Sequence, residues 1–135
     1  MIDNVAPKGE LTLRTLAMPS DVNVNGDIFG GWVLSQMDIA SGIIAGQRAH
    51  GRVTTVAVDA MKFIRPVQVG DVLCIYGRVN RVGRTSMAIA LEAWALRGRC
   101  GDREKVTEAV FTYVAIDMNG KPRVVPSENH GPLRD

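Results

Sequence analysis

The sequence predicts an α+β domain in which one long apolar helix is wrapped by a five-stranded antiparallel sheet. Three observations carry this expectation. Between Trp32 and Gly46 the chain is apolar on almost every side, with Asp38 as its one charge, and a helix that is apolar all round belongs inside something. Beyond His50 the period changes from helical to alternating, and β-branched stretches follow one another as far as Asp117. The 135 residues suffice for one domain with a single core, and are few enough for subunit pairing to add much of the buried area.

Residues 1–9 read as a short arm. Glu10 to Leu16 sets Leu11, Leu13 and Thr15 against polar neighbours, the pattern of a first strand with one buried face. Met18 to Ile28 holds Pro19, Asn23, Asn25 and Gly26 and reads as a loop whose side chains hydrogen-bond their own backbone. It leads into the helix, where Val33, Met37, Ala40 and Ile44 recur at helical spacing and Leu34, Ser41 and Ala45 widen the stripe. His50-Gly51 ends it, with the glycine available for a left-handed cap.

Val53 to Phe63 should be the next strand, with Val56, Val58 and Ala60 on one face and Thr55, Ala57, Asp59 and Met61 on the other. PVQVGD, residues 66–71, breaks that pattern and turns. Val72 to Val82 is a strand, Gly83 to Thr85 a tight connection, and Ser86 to Leu96 the cleanest alternation in the chain, with Met87, Ile89, Leu91, Ala93 and Ala95 on one face. Gly98 to Glu104 reads as a charged loop, Lys105 to Asp117 as the last strand closed by Asn119-Gly120, and 127–135 as a polar tail. The four later strands are expected to follow one another in antiparallel succession. No repeat or linker divides the chain, so 1–135 reads as a single domain.

Composition narrows the function. With 16 basic and 14 acidic residues the net charge is +2, too balanced for a nucleic-acid or membrane footprint. Cys74 and Cys100 have neither CxxC nor Cys/His spacing and read as free thiols of a reducing compartment. The N-terminal MIDNVAPKGE lacks the basic and apolar regions of a signal peptide, and no stretch approaches the roughly 18 apolar residues of a membrane span. A soluble, cytoplasmic protein with a small-molecule or protein partner is expected.

Chemistry concentrates at the helix. Gly30-Gly31 at its start lets a ligand approach free N–H groups backed by the positive end of the dipole; the same pair could instead serve an unusual turn. Asp38, two turns further on, is either a general base or nucleophile toward a carbonyl polarised by those amides, or an ordinary helix acid. Asp27 either joins the site or hydrogen-bonds loop amides. His50 at the far end of the helix and His130 in the tail are weaker candidates. No metal-ligand cluster, nucleophile elbow, dinucleotide fingerprint or P-loop is present. Arg81, Arg84 and the amides of Gly83 to Ser86 form a basic turn that could hold phosphates with help from Arg65, or a solvated hairpin.

Taken together, NGDIFGGWVLSQMD, VTTVAVDAMKFIRPVQVGD, VGRTSM and AVFTYVAID resemble the hot-dog-fold acyl-CoA thioesterases, in particular their YciA-type and animal cytosolic branches. The resemblance runs over residues 10–126, and several separate blocks occur in the family's order. It implies a helix wrapped by a sheet that continues across a homodimer, further assembly into a trimer of dimers, and an active site at the dimer interface. Hydrolysis of acyl-CoA to free CoA and a carboxylic acid, with no metal or organic cofactor, would then be the reaction. By the same resemblance Asp38 is the catalytic carboxylate. Gly30 or Gly31 supplies the amide that polarises the thioester carbonyl. Asp27 stands where some relatives carry an Asn that acts from the opposite subunit. The Arg84, Thr85, Ser86 turn, with Arg65, lies where relatives contact the CoA nucleotide. A non-catalytic acyl-CoA sensor would need an output element, and a hydratase on this fold usually pairs a His with its carboxylate, whereas His50 lies three turns from Asp38.

Overall fold

The computed structural model describes residues 6–98 and 101–128. Cys100, His130 and most of the expected tail lie outside them. Strand β1 spans Glu10–Leu16, a short 3-10 turn Pro19–Asp21, helix α1 Gly30–Ala49, and strands β2 to β5 Val53–Phe63, Val72–Val82, Ser86–Arg97 and Asp102–Ala115. One antiparallel sheet in the order β1-β3-β4-β5-β2 holds all five strands, with α1 packed on one face. This is the expected helix wrapped by a sheet, and the hot-dog arrangement that the resemblance implies.

The helix buries Val33, Met37, Ala40, Ser41, Ala45 and Ala49 against the inner face of β4, where Met87, Ile89, Leu91, Ala93 and Ala95 are all buried as their alternation predicts. Small residues let the layers approach. A Cβ on Gly77 of β3 would stand 2.5 Å from Ile44 Cδ1 and 2.7 Å from Leu91 Cδ2, so a larger residue where the helix crosses that strand would push both side chains aside.

Four sequence expectations are corrected. The later strands are not in simple succession, because β2 pairs with β5 and leaves β3 between β1 and β4. The link 64–71 is too long for a tight hairpin and crosses the ends of β5 and β4 instead: Ile64 N–H donates to Val106 O (2.7 Å) and Arg97 Nη2 to Pro66 O (2.7 Å). Its final turn closes on buried Asp71, which accepts from Gln68 N–H (2.8 Å) and pairs with Arg97 (3.3 Å). The expected charged loop is shorter, since β5 already begins at Asp102. The helix cap is His50 itself, at φ 57°, while Gly51 makes room for Arg123, whose Nη2 would lie 2.7 Å from a Cβ there.

The fourth correction concerns β2. Register shifts between Thr55 and Ala57 and between Asp59 and Lys62 break the strict alternation, so the half-buried residues are Val53, Ala57 and Met61, four apart. Ala60 sits in the second bulge at φ 54°, a left-handed conformation that glycine adopts without the Cβ penalty. Ala60→Gly is therefore expected to raise the unfolding free energy by about 0.5–1 kcal/mol, net of the extra chain entropy of glycine. Denaturant melts check it; an unchanged or lower midpoint would mean the bulge carries no strain.

Candidate active site

The loop before α1 is organised by one side chain. Asn23 Oδ1 accepts from the amides of Asn25 (2.8 Å) and Asp27 (3.2 Å), while Asn23 N–H donates to Asp27 O (2.7 Å). Amide capping, one of the two roles open to Asp27, thus belongs to Asn23, and among the described residues nothing hydrogen-bonds the Asp27 carboxylate.

Phe29 is the helix N-cap and offers no side-chain hydrogen bond, nor is there an acid in the first turn. The first amides of α1 are therefore left without a side-chain acceptor at the positive end of the dipole. The two glycines differ. A Cβ on Gly30 would meet Phe63 Cζ at 3.2 Å, whereas one on Gly31 would meet nothing within 4 Å. Beside Gly30 lies a cavity of about 310 Å³ lined by Ile28, Val33, Phe63, Ile64, Val67 and Val106 among others, with Arg65 also on its wall.

Asp38 lies half-buried on α1. Because β2 runs back along the helix, Thr55 comes beneath it and donates to Asp38 Oδ1 at 2.8 Å. Tyr113, opposite Thr55 in the β2–β5 register, donates to the same oxygen at 2.5 Å and also lies 2.7 Å from the Asp38 carbonyl oxygen. Ser41 Oγ completes the cluster, 2.7 Å from the Tyr113 hydroxyl and 2.9 Å from Met37 O. Burial, then the hydrogen bond to Asp38, pushes the Tyr113 hydroxyl up to about 12, so it holds its proton at neutral pH. Both acceptor positions of Oδ1 are thereby used, and among the described residues no donor reaches Oδ2.

Gly30 and Asp38 stand eight residues apart on a continuous helix, or roughly 12 Å of rise. One chain does not bring them together, and Asp27 lies in the loop before the helix start. The 83–86 turn sits at the Thr55 end of the sheet, pinned by Ala115 N–H to Thr85 O and Val125 N–H to Arg84 O, each 2.9 Å. Arg65 is at the opposite end, donating to Lys105 O (3.0 Å) and facing Glu104 (3.9 Å). Arg65 is level with Trp94 and Ala95 of β4, roughly 30 Å at strand rise from the turn, so within one chain Arg65 cannot help it.

A sequence profile of the thioesterase superfamily matches residues 25–101, more than half of the chain. The acyl-CoA thioester hydrolase YciA of Escherichia coli is 56% identical over 125 residues, 90% of this chain and 95% of that protein. The chain belongs to the thioesterase superfamily. Solved thioesterases share its architecture: a hexameric broad-specificity acyl-coenzyme A thioesterase, known in an aspartate-to-alanine mutant, superposes with a TM-score of 0.87 at 55% identity over 93% of both chains. The hexameric thioesterase y2039 of Yersinia pestis does so with a TM-score of 0.87 at 57% identity, over 90% of this chain and 99% of that one.

Within this thioesterase, Asn23 plays the loop-bonding part that the sequence assigns to that stretch, while sequence reasoning missed Ser41, Thr55 and Tyr113 as partners of Asp38. Tyr113 carried a usable signal: a tyrosine on the core face of a strand buries its ring and must find a partner for its hydroxyl. Among the described residues no helix is long and apolar enough to cross a membrane, and no three His, Cys, Asp or Glu side chains are grouped to hold a metal ion.

Proposed function

We propose that this chain is an acyl-CoA thioester hydrolase, with Asp38 acting on the thioester carbon and a Gly30 or Gly31 amide polarising the carbonyl oxygen. The observation that carries the reading is the Asp38 carboxylate, anchored through Oδ1 on an otherwise apolar helix and open at Oδ2. The names of its thioesterase relatives supply the substrate class. Two routes fit the geometry. Asp38 takes a proton from a water that attacks the carbonyl, or attacks it directly and forms a mixed anhydride that water then cleaves; in both, CoA leaves as the thiol once protonated. The reaction so written uses water, a carboxylate and backbone amides, without a metal or organic cofactor.

The same reading requires two subunits. Attacking group and oxyanion donor must each lie about 3 Å from one carbonyl group, whereas a single chain holds Gly30 and Asp38 roughly 12 Å apart. A symmetric partner resolves this. Strand β2 is a free edge carrying Val56 (54% exposed) and Val58, and α1 exposes Leu34, Ile39 (51%) and Ile43, apolar surface that a second copy would cover. Pairing two β2 edges about a two-fold near mid-strand sets the Thr55 end of one against the Phe63 end of the other, and with it one Asp38 against the opposite helix start and its Asp27. That operation also carries Arg65 of the partner subunit toward the end of the sheet with Arg84, Thr85 and Ser86, where the CoA phosphates would bind. The hexameric relatives support three such dimers in the full assembly.

A thiol-release assay over acyl-CoAs of increasing chain length tests the reaction. Release above the uncatalysed rate is expected for at least one chain-length class. Tight CoA binding with no release from any acyl-CoA would make the chain a sensor instead.

A further inference from the structure

We propose that Tyr113, supported by Ser41, is a positioning residue for hydrolysis that fixes which oxygen of Asp38 reacts; this rests on the role of Asp38 proposed above. Tyr113 and Ser41 each bring one hydroxyl proton to the cluster. The Tyr113 hydroxyl lies 2.5 Å from Asp38 Oδ1, and two oxygens so close must share a proton. With Asp38 ionised that proton is the tyrosine's own. Tyr113 therefore has none for Ser41, so the Ser41–Tyr113 contact at 2.7 Å is a hydrogen bond only when Ser41 donates to Tyr113, turning its single proton away from Met37 O, 2.9 Å away. The orientation of the cluster is then set from the core outward.

The consequence reaches the reacting atoms. Tyr113 and Thr55 together occupy Oδ1, so the oxygen left to take a proton or form a bond is Oδ2. Thr55 is an exposed contributor on an edge strand, whereas Tyr113 is buried between β4 and β2 on β5, so the rigid half of the clamp is the tyrosine. Losing it would let the carboxylate rotate about its Cβ–Cγ bond and present either oxygen at variable distance. Misplacement of about 1 Å can cost 10²-fold in rate.

Tyr113→Phe keeps the ring and removes only the hydroxyl. In the full oligomer it should lower kcat about 10- to 100-fold, with KM for acyl-CoA within about threefold and the folded fraction unchanged. In an Asp38→Asn background it should lower kcat no further, because the group it positions is already lost. An unchanged kcat, a fall matched by loss of folded protein, or an equal further fall in the Asp38→Asn background would each overturn the inference. Should Tyr113→Phe not fold, Ser41→Ala carries the test: a fall in kcat alone supports the clamp, and an unchanged kcat removes it. Normal turnover in Asp38→Asn would instead defeat the underlying reading, while loss there with normal turnover in Tyr113→Phe would defeat only this one.

Discussion

Asp38→Asn is expected to lower acyl-CoA turnover by roughly 10² or more, the usual range for removing a positioned acid–base group, while the fold and CoA binding persist. The substitution suits the site. Asparagine has nearly the same shape, and its amide oxygen can still accept from Thr55 and Tyr113, which now bind Oδ1. What disappears is the negative charge and the basic or nucleophilic oxygen at the Oδ2 position. A hundredfold loss corresponds to about 2.7 kcal/mol of transition-state stabilisation, well above what a change in packing at a half-buried position would supply. Thiol release measured beside calorimetric CoA binding and thermal melts separates these effects. Near-normal turnover would remove Asp38 from the chemistry.

Where the sequence repeats a period, the fold was legible. The inner face of β4 and the buried stripe of α1 follow from alternation and helical spacing alone, because one side of each element meets the core. Pairing is not periodic. Nothing in VTTVAVDAMKF shows that β2 lies beside β5, or that Ala60 takes a left-handed conformation in a bulge, since both belong to the pairing of β2 with a strand some fifty residues further on.

The site was legible in the same uneven way. A lone acid in an apolar helix stands out, as does a Gly-Gly pair at a helix start. Thr55 does not, since threonine is an ordinary strand residue, and Tyr113 looks like core until a partner for its hydroxyl is sought. The grouping of Arg65 with the 83–86 turn failed within one chain because sequence neighbours of different strands can sit at opposite ends of a sheet. Asp27 was named for its place in NGDIFGG, while the amide bonding set against that reading falls to Asn23.

Each mutant homodimer of Asp27→Ala or Asp38→Asn should lose most of its activity, and their heterodimer should recover it. If Asp27 of one subunit faces Asp38 of the other, every site in either homodimer lacks one member. The heterodimer gathers both defects into one site and leaves the other intact, so it should show up to roughly half the wild-type activity per dimer, as two-fold symmetry requires. No rearrangement within a single chain can mimic this, because each chain of the heterodimer lacks one of the two carboxylates. Co-expression of differently tagged mutants, purification of the doubly tagged species and thiol release per dimer is thus the most direct test of an active site shared between subunits. Recovery to near half of wild type is the expected result; a proven heterodimer no more active than the mean of its two parents would contradict it.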